Sequence, residues 1–81
     1  MRKEIIEING ATYEVTECTM RQILPILESK TPNLGVELSK LSVSLNGVPI
    51  GDTVLDFGFN DFQSIIEVVN RVHGLNEEKK P

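Results

Sequence analysis

The dipeptide Asn9-Gly10 separates two alternating runs and commits the start of the chain to a β-hairpin. Ile6 and Ile8 alternate with Glu7 on one side, and Tyr13 and Val15 alternate with Glu14 on the other. Asn-Gly accepts positive φ at both central turn positions, and the resulting turn matches the right-handed twist of paired strands. Residues 4 to 15 are therefore read as the hairpin. An antiparallel hairpin needs a cover for its apolar face, and the rest of the chain must supply it.

The cover reads as helical. Thr19 followed by Gln22 is a capping box, and Ile23, Ile26 and Leu27 share one face beyond it, with Met20 a turn earlier. Residues 19 to 29 are read as a helix that is short, kinked at Pro25, or restarted there, because proline removes a hydrogen bond and crowds the preceding turn. Residues 30 to 35 read as a loop, since the residue before Pro32 is pushed out of helical space. Residues 60 to 73 read as the closing helix. Asn60 is its expected N-cap, with Gln63 completing a box and Asp61 in the first turn. Phe62, Ile65, Ile66, Val69 and either Val72 or His73 form its stripe, Arg71 and His73 fall in its last turn, and Gly74 stops it.

The middle of the chain matches two templates. Leu34, Leu38, Leu41 and Leu45 make a helical stripe, while Leu41, Val43 and Leu45 alternate with Ser42 and Ser44 as in a strand before Asn46-Gly47 and Val48. The reading leans to a helix ending at Asn46-Gly47, because the stripe is long and glycine suits the position after a helix. The expected fold class is α+β: an N-terminal β-hairpin followed by about three short helices packed as one small domain over residues 1–75, with 76–81 a flexible polar tail.

Composition limits the partners. The 81 residues carry a net charge of −4, with basic residues scattered rather than striped, which argues against nucleic acid and anionic lipid. No apolar run approaches the ~18–20 residues of a membrane span, and residues 1–7 contain no apolar signal-peptide core. A cytoplasmic location is expected, and the lone Cys18 suits a reducing compartment.

Reactive groupings are missing from the pattern. His73 is the only histidine and stands away from any metal-ligand spacing. Cys18 precedes a helix N-terminus, which could lower its pKa, but no histidine is near it in sequence, so a small buried or half-buried structural thiol is the better reading. Asp52, Asp56 and Asp61 fit turn and cap roles rather than a cation loop. No catalytic residue, metal or cofactor is expected. All three phenylalanines, Phe57, Phe59 and Phe62, fall within six residues. They read as core packing around the helix start, with Phe59 stapling back to it, or as an aromatic anchor for a partner.

With these elements placed, the chain resembles the small tail-assembly chaperones of long-tailed bacteriophages. The resemblance rests on the Ile6-to-Val15 hairpin, the Thr19-to-Gln22 helix start and Asn46-Gly47-Val48-Pro49-Ile50. It closes on the acidic-aromatic run from Leu55 to Phe62 leading into Ile65 through Asn70. It implies a non-enzymatic protein of the host cytoplasm that binds apolar segments of the tape-measure protein during tail morphogenesis. It also implies a longer frameshifted product made near Lys79-Lys80. The candidate partner-binding surface is Phe57, Phe59 and Phe62 with Ile23 and Leu27. The alternative is a small structural or adaptor subunit of a phage or prophage particle; a regulator mimicking acidic ligands would need its acids clustered, and they are spread. Homo-oligomerisation is plausible, because a small aliphatic-rich domain gains stability by sharing a face.

Overall fold

A computed structural model describes residues 2–30 and 33–74. Strand β1 (Lys3–Ile8) and strand β2 (Ala11–Thr16) pair antiparallel, with Ile8 opposite Ala11 and Lys3 opposite Thr16. Asn9 and Gly10 have φ of +51° and +84°, the two positive values that the sequence demands of this turn. Glu4, Ile6 and Ile8 face inward with Ala11, Tyr13 and Val15, and Lys3, Ile5 and Glu7 face outward, as the period of two dictates.

Helix α1 (Met20–Glu28) follows. The Thr19 capping box forms as read: the Gln22 amide donates to Thr19 Oγ1 at 3.3 Å, and the Thr19 amide donates to Gln22 Oε1 at 2.8 Å. The nine-residue helix runs through Pro25 rather than restarting there.

Helix α2 spans Leu34–Ser42, so the loop read over 30 to 35 gives up Leu34 and Gly35 to it. The lean towards a helix reaching Asn46-Gly47 is corrected: α2 stops at Ser42, and Val43–Leu45 forms strand β3. The edge of β2 decides the matter. Val43 pairs with Val15 and Leu45 with Tyr13, satisfying backbone groups that would otherwise lie open beside the core. Ser42 Oγ donates to the Thr16 carbonyl at the switch point. Asn46 and Gly47, with φ of +55° and +82°, repeat the first turn and lead into strand β4 (Val48–Pro49). The sheet is antiparallel, in the order β1-β2-β3-β4.

A 3₁₀ segment, Gly51–Asp56, seals one end with fully buried Val54. Helix α3 (Phe59–Val72) closes the fold. Its cap corrects the reading of Asn60. Gly58 is the N-cap, without a side-chain bond, and the Phe62 amide donates to the Gly58 carbonyl at 2.9 Å. Asn60 therefore lies inside the helix, its carbonyl accepting from Ser64 Oγ, and no Asn60–Gln63 box forms. Phe59 becomes the first helical residue and points to solvent rather than stapling back. The stop is as read, with Gly74 at φ +72°.

The architecture is α+β, a hairpin-led sheet with three helices around one core. α3 lies on β1 and β2, α2 lies on β2 and β3, and α1 rests on α2. The core joins Ile8 and Val15 of the hairpin to Leu38, Val43, Val54, Ile65, Val68, Val69 and Val72. Each fully buried side chain of this kind contributes about 1.5–3 kcal/mol relative to exposure, so sheet, α2 and α3 carry the stability. α1 adds little, because none of its residues is buried. The tail read over 76–81, with Lys79-Lys80, lies outside the described residues.

Candidate protein-binding site

Among the described residues, two apolar clefts that share no lining residue open on the surface. The first, about 490 Å³, is framed by α1 and α2. The capping box fixes where α1 begins, and the helical period then sets Met20, Ile23 and Leu27 along one wall. Leu34 and Leu38 of α2 form the other, and Glu17, Cys18, Thr19 and His73 complete the lining. Met20 is 60% exposed and Leu27 is 50% exposed, while Ile23 is half-buried.

The polar part of this lining is chemically quiet. The Cys18 amide donates to His73 Nε2 at 2.8 Å, and His73 Nδ1 lies 2.7 Å from the Val69 carbonyl. A ring that accepts at Nε2 and donates at Nδ1 is the neutral Nδ1–H tautomer. Both nitrogens are thereby committed to backbone, and neither is free to take a proton from the thiol. Burial, aided by the Glu17 charge, pushes the Cys18 thiol up from its ordinary range, which opposes thiolate formation. The long-range meeting of Cys18 with His73 was invisible in sequence, because 55 positions separate them.

The second cleft, about 280 Å³, is lined by Leu55, Phe57, Phe59 and Phe62. Phe57 does the work of a core plug, its ring edge-on to Tyr13 at 5.5 Å and 82°. Phe62 is also half-buried against the core. Phe59 is 75% exposed and stands over the opening with exposed Leu55. The structure thus brings the three phenylalanines together and places Ile23 and Leu27 in the other cleft.

None of the family models, curated proteins or solved structures compared with the chain matches it.

The aspartates take structural roles. Asp52 lies 3.4 Å from Lys40 Nζ, which also meets Glu37 at 3.5 Å. Partial burial works against the charge on Lys40, but the two carboxylates outweigh it and hold its pKa up. Asp61 Oδ2 accepts from Asn9 Nδ2 at 3.5 Å and sits in the first turn of α3. Among the described residues, no three His, Cys, Asp or Glu side chains are grouped to hold a metal ion. No helix among them is long and apolar enough to cross a membrane.

Sequence reasoning missed Leu55, Leu34 and Leu38 as cleft residues, and Leu24 as an exposed apolar side chain on α1. Leu34 and Leu38 did carry a signal, the first half of the middle leucine stripe. Leu55 carried none, because its orientation depends on the 3₁₀ segment.

Proposed function

We propose that this protein acts by contact, as a tail-assembly chaperone that holds apolar segments of a tape-measure protein until assembly takes them up. The observation that carries this reading is α1: an amphipathic helix that only Ile23 and Ile26 pack partly against the core, while Met20, Leu24 and Leu27 stay exposed and Met20 and Leu27 line a cleft. A helix with that pattern satisfies its apolar face only when something else covers it. The aromatic cleft around Phe59 offers a second contact, of the kind that dominates interface energies. The negative net charge would keep a loaded complex dispersed.

The test is co-expression with the long helical protein encoded nearest to this chain's gene. Its soluble yield should rise with the wild-type chain. Leu27→Asp should lose the burial of one leucine, about 1.5–3 kcal/mol, and weaken capture by roughly 10- to 100-fold. Phe59→Asp should do likewise. Both side chains are at least half exposed, so both variants should stay folded by circular dichroism. Unchanged partner solubility with the wild-type chain would sink the proposal, and stoichiometric retention in purified particles would replace it with a structural subunit.

A further inference from the structure

Strand β1 is an edge strand, paired with β2 on one side and with no described strand on the other. The geometry points to a second copy of this chain as its partner, in a two-fold antiparallel pairing of β1 with β1 centred on Ile5.

The hydrogen-bonding parity of the edge supports this. In a hairpin closed by a two-residue turn, the residues flanking the turn exchange both backbone bonds, and every second pair repeats the pattern. Ile8, Ile6 and Glu4 therefore spend their amides and carbonyls on β2. The same parity continues to Arg2, whose carbonyl accepts from the Glu17 amide at 2.9 Å. Lys3, Ile5 and Glu7 direct their amides and carbonyls to the open edge. These are also the residues whose side chains lie on the outer face, where Ile5 is 58% exposed among polar neighbours.

A two-fold axis through Ile5 sets Ile5 against its own copy and Lys3 against Glu7 of the second chain, twice. All three pairs have the parity to exchange two backbone bonds each. On the outer face an exposed isoleucine gains an apolar neighbour, and each unlike charge gains its complement. Neither Lys3 nor Glu7 has an ion pair among the described residues. A shift of register destroys the match. Two residues one way set Glu4 against Glu4; two residues the other way set Lys3 against Asn9 and Glu7 against Ile5. Charged side chains commonly protect an edge strand from pairing. Here the order Lys3, Ile5, Glu7 reads as its own complement when reversed, so the protection becomes attraction for a second copy. The axis runs perpendicular to the sheet, leaving the helices of both copies on one side and joining two sheets into one.

A seam this short falls below the ~1,200 Å² of standard interfaces, so the dimer is expected to be weak and concentration-dependent. Sedimentation of the full chain from micromolar to millimolar concentration should show it, weakening with added salt. Lys3→Glu or Glu7→Lys alone should weaken it about tenfold, because each sets like charges opposite twice. The combined K3E/E7K chain should restore it. In mixed isotope-labelled wild-type dimer, a contact between the α-protons of Glu4 and Ile6 of different chains fixes the register. A strictly monomeric wild-type chain overturns the inference. So does a dimer that ignores the single reversals, or a folded K3E/E7K chain that fails to associate.

Discussion

His73 shows how one side chain can be spent on structure at a position that sequence alone leaves open. Its ring bridges the segment before α1 to the last turn of α3, accepting from the Cys18 amide and donating to the Val69 carbonyl. The Cys18 amide is part-buried, and a buried donor stripped of its acceptor costs about 1–3 kcal/mol. His73→Ala should therefore destabilise the fold by that amount, measured by urea unfolding. A His73→Ala chain with an unchanged midpoint would mean that water takes over the bond. The same bridge explains why Cys18 has no base: the only imidazole beside it is held by its backbone, not by its sulfur. Sequence could place His73 in a C-terminal turn but could not bring it to Cys18, since that meeting depends on how α3 crosses the sheet.

Helix α1 is held by its cap and its α2 contacts, and Pro25 works against its internal hydrogen bonding. Proline offers no amide to the Arg21 carbonyl, one turn earlier. With no residue fully buried and only Ile23 and Ile26 packed partly against the core, α1 belongs to the part of a protein that opens before the rest. Pro25→Ala should slow amide hydrogen exchange across α1 by the equivalent of about 1–3 kcal/mol while leaving global unfolding nearly unmoved. A global melting shift as large as the local change would show that α1 unfolds with the core.

The elements differ in how far the sequence reveals them. The hairpin and α1 are legible because Asn9-Gly10 and Thr19-x-x-Gln22 act over a few residues. The middle segment is less so. Leu34 and Leu38 obey the helical stripe, but Val43 and Leu45 are drawn into the sheet by the open edge of β2, a tertiary cause that no window of sequence contains. Asn60 looked like a cap, yet Gly58 begins the helix two residues earlier. Gly51–Asp56 shows no periodicity at all. The candidate surface was legible as a set of side chains, not as a place. Phe57, Phe59 and Phe62 look alike in sequence, and only packing against Tyr13 and the core separates the plug from the exposed ring.

Across the whole molecule, the start of the sheet is tied to the end of the last helix. Arg71 Nε and Nη2 donate to the two Glu4 carboxylate oxygens at 2.8 Å each, and Arg2 Nη1 donates to the Arg71 carbonyl at 2.8 Å. The Arg71 hydrogen bond holds the Glu4 carboxyl below its ordinary pKa. A lowered carboxylate pKa adds stability above the unfolded value and loses it as pH falls through the folded one. Melting temperature should therefore drop on acidification through and below the usual carboxylate range. Glu4→Gln should melt slightly lower at neutral pH and show a shallower acid slope. Parallel acid slopes for the two chains would assign the effect to other carboxylates.

That tie also sets an order of events during synthesis. β1 leaves the ribosome well before the arginine that clasps it, which comes 67 positions later. On its own the hairpin has a turn and two residues of the core, Ile8 and Val15, too little to persist alone. The nascent chain must wait, open and oily, for its own far end before its first strand is held in place.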